Sequence, residues 1–398
     1  MRAIGSTAPS EVPRLRDNGR PFLNLLLVQW GRRGAGVQYL LRLAQEMAPR
    51  LPGRLYVSAS RQSTLFEETV ATGLPCVTVE TYSGAASALR RSFDLPRLRR
   101  HLRVELERHR IGLTLVCMPH PWNAAVADVF RSSGRRLVTI VHDAVPHPGE
   151  RYPLPAWLLA REIGLSDGIV TFSRHVAGAV RSRYGTPAAR IFEAALPSLV
   201  PETIARMRMR PARPVRLLFL GRVLPYKGLD LLLDTMHRLE GRVPVRLNIV
   251  GSGIGRGLAR RIAAMPDVRL DDRWISESEF PRILDRADIL IAPYREASQS
   301  GVVPAALAAG VPAIVTPVGG LVEQVENGRT GLIAGAVSTD ALAGAIARLA
   351  GDHELYRRCS AGALEVSSTS LSWTAHVDRI EEGVRRVAAA PRRGSDFQ

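Results

Sequence analysis

The sequence predicts an α/β chain built from two doubly wound parallel units, and three observations carry that prediction. Short apolar runs alternate with amphipathic helical segments along most of the chain, which is how parallel strands joined by helical crossovers read. The alternation runs through twice, separated by a break that holds Pro197, Pro201, Pro211 and Pro214. Each pass opens on a strand that ends in glycine: Gly31, Gly34 and Gly36 in the first, Gly221 in the second. The expected organisation is a loose tail over 1–20, a first unit over 21–197, a linker over 198–214 and a second unit over 215–371. A helix over 372–390 and a short tail over 391–398 close the chain.

In the first unit an apolar run at 23–28 leads into the glycines and then into an amphipathic helix over about 37–47. Glycines in that place let the backbone approach a ligand while helix amides point at it. Their G-x-x-G-x-G spacing is not a dinucleotide fingerprint. Gly34 and Gly36 therefore read either as an acceptor or sugar loop or as a tight turn. Further strands are expected at 54–58, 76–80, 113–117, 137–142, 168–172 and 191–194. Doubly wound sheets bind ligands at the carboxyl ends of their strands, so His142 and Asp143, which end one of these, are site candidates. A satisfied structural histidine is the alternative. The segment 95–110 is a helix with Leu98, Leu102 and Leu106 in one stripe, surrounded by Arg97, Arg99, Arg100, Arg103, Arg108 and Arg110. Its first reading is a helix packed on the sheet, and its second is a helix laid on anionic headgroups.

The second unit starts with a strand at 215–220, apolar but for Arg216, and Gly221 ends it. The loop that follows presents Arg222 and Lys227 before a helix begins near Gly228. Arginine offers a planar fork to two oxygens and lysine a mobile point charge, a pair suited to a diphosphate. Lys227 is also the only lysine among the 54 cationic residues. Strands are expected at 246–250, 268–270, 289–292 and 313–316, with a capping box of Ser276 and Glu279 opening the helix before Asp288. Ser298, Gln299, Ser300 and Gly301 precede a further helix, so amides and hydroxyls there are aimed at the same crevice. The last helix carries Trp373, Val377, Ile380, Val384 and Val387 as one apolar stripe.

Composition narrows the classes. The chain has 398 residues and a net charge of +17, enough length for two or three domains with sizeable cores. Residues 1–200 carry 27 arginines against 15 acidic residues, while 201–398 carry 27 cations against 22. The excess in the first half points to an anionic partner there, with an arginine-rich composition as the bland alternative. Sparse aromatics and the lack of any module signature argue against nucleic acid. No apolar run reaches the length of a membrane helix, and the first twenty residues lack the apolar core of a signal peptide. Cys76, Cys117 and Cys359 have no metal-ligand spacing and read as buried thiols in a reducing cytoplasm.

The order of motifs resembles a known family. LGRVLPYKG at 220–228, IVGSG at 249–253, SESEFPRILDRADILIAPY at 276–294, the run ALAAGVP through NGRTGLI at 306–333, and SWTAHVDRIEEGV at 372–384 are similar to the retaining nucleotide-sugar glycosyltransferases of the GT-B fold, family four. The glycine loop, the HD at 142–143 and the FSRH at 172–175 extend the likeness more weakly into the first unit. The resemblance implies two Rossmann-like domains facing each other across a cleft, with the last helix crossing back to the first. It implies that Arg222 and Lys227 hold the donor diphosphate, and that Ser300, Gly301 and Val302 offer it amides and a hydroxyl. Gly221 and Gly251 count with the donor-binding residues. Trp274 and Ile275 would lie near the base, and Glu323 near the ribose or capping the helix there. His142 and Gly34 would face the transferred sugar, with Gly36 and Asp143 beside them. Two glutamates usual in the family fall at Ala297 and Ala305, which leaves Glu296 and Gln299 as the polar candidates.

The implied chemistry is transfer of a sugar from a nucleoside diphosphate to an acceptor hydroxyl with retained configuration, without metal or other cofactor. Front-face attack is expected, since no carboxylate of the first unit suits a nucleophile. A pyridoxal-phosphate phosphorylase would need a Schiff-base lysine, and the single lysine sits in the phosphate loop. A catalytically impaired binding component of a glycan-assembly complex is the alternative. The partners expected are a nucleotide sugar, a glycan or lipid-linked acceptor and an anionic membrane surface. The place expected is the cytoplasm, with peripheral attachment to the inner membrane face.

Overall fold

Strand positions in the chain follow from which runs can be buried on both faces. The computed structural model describes residues 24–132, 134–149, 156–200, 205–209 and 211–391. The expected tail at 1–20, most of the closing tail and part of the linker lie outside the described residues. The first sheet contains β1 (Asn24–Gln29), β2 (Leu55–Ser60), β3 (Cys76–Val79), β4 (Ile111–Val116), β5 (Arg136–Val141), β6 (Gly168–Thr171) and β7 (Ile191–Glu193). Its order is β3-β2-β1-β4-β5-β6-β7, and every pair is parallel. The second sheet contains β8 (Val215–Leu220), β9 (Val245–Val250), β10 (Val268–Asp271), β11 (Ile289–Ala292), β12 (Ala313–Val315) and β13 (Gly331–Ile333). Its order is β10-β9-β8-β11-β12-β13, again all parallel.

The α/β expectation therefore holds, as two doubly wound sheets. The order reverses between β1 and β4 in one sheet and between β8 and β11 in the other. A crevice opens at such a reversal, outside the carboxyl ends of the strands. The charge inside β8 has a structural account. The Arg216 guanidinium is held by the buried Asp288 at 2.6 Å, and Asp288 also accepts from the amides of Arg216 and Ala212.

Strand β13 escaped the sequence analysis. It has three residues, too few to show a period, and it opens on glycine. Gly331 is required by the pairing, because a Cβ there would lie 1.9 Å from the Ala313 carbonyl oxygen.

The helix Trp373–Ala389 starts at a Ser372 cap and packs on the first sheet. Trp373, Val377, Ile380 and Val387 are buried with Leu27, Tyr39 and Phe172 in one apolar cluster. Polar ties fix its register: the Tyr39 hydroxyl meets His376 Nε2 at 2.6 Å, and Trp373 Nε1 donates to the Ser198 carbonyl at 2.8 Å. Burial pushes His376 down to about 4, so the imidazole is neutral in its cluster.

Candidate functional site

The loop after β8 is shaped by glycines that bring three backbone segments together. Gly251, at φ 146°, approaches so closely that a Cβ would lie 2.0 Å from the Gly221 carbonyl oxygen. Gly228, at φ 64°, lies just as close to the Pro293 carbonyl, so the helix Leu229–Leu239 starts against the loop after β11. Between them, Pro225–Lys227 forms one 3-10 turn. The Lys227 ammonium rests over the Tyr294 ring at 5.2 Å and makes no ion pair among the described residues. Arg222 is exposed in the same loop. The structure thus brings both cations to the β8/β11 crevice.

The segment after β11 departs from expectation in its details. The Ser300 amide donates to Gln324 Oε1 at 2.8 Å, and Gln324 Nε2 returns a bond to the Ser300 carbonyl at 2.9 Å. This amide is therefore committed inside the protein, and Gly301 and Val302 open the helix Val302–Ala308 without it. Sequence reasoning missed Gln324, since nothing in its local pattern signals a clamp on a distant loop. Ala297 and Ala305, standing where the family has glutamates, are each only 2% exposed and packed in the core. Gln299 Oε1 is buried without a hydrogen-bond partner, whereas Glu296 is bonded to His147 at 3.0 Å. Of the two polar candidates, Gln299 is the one whose acceptor oxygen is buried without a partner. Trp274 is 59% exposed beside Ile275, which packs on the core, so its indole face is open.

On the facing sheet, β5 delivers His142 and Asp143 to the cleft. His142 Nε2 lies 3.0 Å from the Cys117 carbonyl, an acceptor only, so Nε2 carries the proton and Nδ1 is the lone-pair nitrogen. Burial, against Phe172 among others, lowers its pKa. Burial alone would raise Asp143, but bonds from His147 and Ser298 and the nearby imidazoles outweigh it and hold the carboxyl below its usual range. Gly34, at φ 92°, has open space where a side chain would stand. At Gly36 a Cβ would strike Gln29 Nε2 at 2.4 Å and Met118 Sδ at 2.7 Å, so close packing requires a glycine there.

The two units are tied across the cleft. Ser173 Oγ donates to the Ser298 carbonyl at 2.9 Å. Glu323 accepts from the Arg174 and His175 amides at 2.8 and 2.9 Å and so caps the helix Arg174–Tyr184. The helix that Glu323 caps belongs to the opposite unit, not to its own, and both carboxylate oxygens are taken up there. His147, another residue the sequence did not single out, bonds Glu296 and Ser298 from the first unit.

Family models agree with this architecture. The model described as glycosyl transferases group 1 matches residues 214–352, and that of glycosyltransferase family 4 matches residues 36–192. The chain belongs to the GT-B glycosyltransferases. It is 32% identical over 245 residues to a GDP-mannose-dependent alpha-(1-6)-phosphatidylinositol monomannoside mannosyltransferase of Mycolicibacterium smegmatis, covering 56% of this chain and 63% of that protein. It is 34% identical over 169 residues to a D-inositol 3-phosphate glycosyltransferase of Corynebacterium glutamicum, covering 39% and 40%. The chain thus spans less than two thirds of the length of these curated relatives. Among solved structures it is similar to Anabaena HepE in complex with UDP and glucose, with TM-score 0.69, 15% identity, and coverage of 92% of this chain and 100% of that one.

Two further regions of this glycosyltransferase bear on what it meets. The helix Leu95–Arg108 buries Leu98, Leu102 and Leu106, as its stripe predicts. Arg99 turns inward to Asp128 and the Ala125 carbonyl, so it does not belong to an outward basic face. Arg97, Arg100 and Arg103 are exposed, and Phe93, just before the helix, is 82% exposed. A cavity of about 410 Å³ lies at the amino ends of β8, β9 and β10, lined by Met236, Leu239 and Met265, and holds none of the site residues.

Proposed function

We propose that this chain is a retaining glycosyltransferase that moves a sugar from a nucleoside-diphosphate sugar to an acceptor hydroxyl in the assembly of a cell-surface glycan. The observation that carries the reading is Lys227, a lysine without an ion pair among the described residues, set beside Arg222 at the carboxyl ends of β8 and β11. HepE, on the same fold, is described in complex with UDP and glucose.

In this reading the bond from the anomeric carbon to the phosphate oxygen breaks and its electron pair stays on the diphosphate. The acceptor oxygen bonds to the same face of that carbon, and its proton passes to the departing phosphate. Arg222 and Lys227 act more strongly on this growing charge than on the ground state, which is what lowers a barrier. They occupy the role a divalent ion would have. Gln299 offers its unpartnered Oε1 to a sugar hydroxyl, Trp274 offers its open face to the base, and His142 and Gly34 border the sugar. Turnover of a donor panel, with the anomeric configuration of the product read by NMR and the assay repeated with EDTA, tests the reading. An inverted product or loss of activity in EDTA overturns the retaining or the metal-free part of it.

Peripheral attachment to an anionic membrane face belongs to the same proposal. No helix among the described residues is long and apolar enough to cross a membrane. Phe93 with Arg97, Arg100 and Arg103 supplies an apolar edge and cations, and each arginine near such a surface contributes about 1 kcal/mol. A second reading, a binding component without turnover, is favoured by Ala297 and Ala305. Donor binding without any release of nucleoside diphosphate would select it.

A further inference from the structure

We infer that His147 is a positioning residue that completes the diphosphate site from the opposite unit, an inference that rests on the transferase reading above. His147 stands in the loop after β5 and reaches across the cleft. Its ring stacks on Tyr226 with centroids 4.6 Å apart and planes at 23°. Nδ1 lies 3.0 Å from Glu296 Oε1; Nε2 lies 3.1 Å from Ser298 Oγ, 3.3 Å from the Ser298 amide and 3.3 Å from Asp143 Oδ1. Of these partners only Asp143 belongs to its own unit.

Each ring nitrogen faces a carboxylate. Nδ1 donates to Glu296. Nε2 lies among Asp143 and the amide and hydroxyl of Ser298, and the Asp143 carboxyl takes bonds from both His147 and Ser298. Two residues further on, Gly149 lies flat against the phosphate turn: at φ 82°, a Cβ there would meet Pro225 Cδ at 2.7 Å. One loop of the first unit therefore grips both segments of the second unit that the diphosphate needs.

The grip reaches the cation itself. Tyr226 meets Tyr294 edge to face at 6.0 Å, and Tyr294 carries the Lys227 ammonium at 5.2 Å. His147, Tyr226, Tyr294 and Lys227 thus form one line of contacts. On the other side, Glu296 and Ser298 lead directly into Ser300, whose peptide Gln324 holds. With His147 removed, the 225–227 turn and the 296–300 segment each keep their own fold but lose the tie that fixes their spacing. Ligand binding must then restore that spacing, and affinity falls by the cost of doing so.

The full chain carrying His147→Ala or His147→Gln is titrated with nucleoside diphosphates by calorimetry, and donor KM and kcat are measured beside a thermal melt. His147→Ala is expected to raise the Kd and the donor KM about tenfold while kcat changes less and the melting midpoint stays close to wild type. His147→Gln, which can donate to Glu296, recovers most of the affinity. A His147→Ala variant that binds nucleoside diphosphate as tightly as wild type overturns the inference alone. A wild type that binds no nucleoside diphosphate overturns the transferase reading and this inference with it.

Discussion

Lys227→Ala separates chemistry from folding, because the structure gives the lysine little to do in the fold. Its ammonium contacts the Tyr294 ring at 5.2 Å and makes no ion pair among the described residues. A partly exposed cation–π contact of that kind is worth about 0.5–1 kcal/mol. For a chain of this size such a loss moves the melting midpoint by roughly 2–4 °C at most. Against a leaving diphosphate the same group is worth about 2–4 kcal/mol of barrier, or roughly 30- to 1000-fold in rate. The assay is release of nucleoside diphosphate from the active donor, with a melt on the same preparation. Activity within about threefold of wild type in a folded variant refutes the phosphate-loop assignment. A collapse of the midpoint that accompanies the loss of rate refutes the claim that the residue is dispensable to the fold.

Other positions make separate tests. Asp288→Ala strands the Arg216 guanidinium and two amides, and should cost about 3 kcal/mol in chemical denaturation, as breaking a buried pair does. Tyr39→Phe leaves a buried His376 nitrogen without its bond, costs about 1–3 kcal/mol, and should raise hydrogen exchange in the helix Trp373–Ala389. Burial pushes the Glu162 carboxyl up to about 8 from 4.5, opposed by a bond from Thr139. A carboxyl raised on folding stabilises fully below its unfolded value and loses that contribution as pH rises toward the folded one. Between about pH 5 and pH 8 the wild-type midpoint should therefore fall relative to that of Glu162→Gln, which keeps the shape without the charge, a comparison that cancels the opposite contribution of the buried neutral His376.

What could be read from the sequence depended on how local the cause was. Strand β8 is legible because burial on both faces leaves a nearly unbroken apolar run, and the exception, Arg216, is explained by a partner 72 residues away. The loop holding Arg222 and Lys227 is legible because strand, glycine, cations and helix follow one another directly. Strand β13 is hidden by its length and its glycine, whose purpose is a close approach to β12. Gln324, His147 and the destination of Glu323 are long-range facts. Each acts on a segment of the other unit or on a distant loop, and no spacing along the chain announces it. The same holds for Arg99, which the helical stripe alone placed outside and Asp128 draws inward.

The central claim is that the crevice at the carboxyl ends of β8 and β11 holds a nucleoside diphosphate through Arg222 and Lys227. Its most direct measurement is a calorimetric titration of uridine, guanosine, adenosine and thymidine diphosphates into wild type and Lys227→Ala. Wild type is expected to bind at least one diphosphate saturably, with the Kd raised at least about tenfold in the variant, as loss of one charge-assisted contact requires. Binding that is absent for all four, or equal in the two proteins, would contradict it.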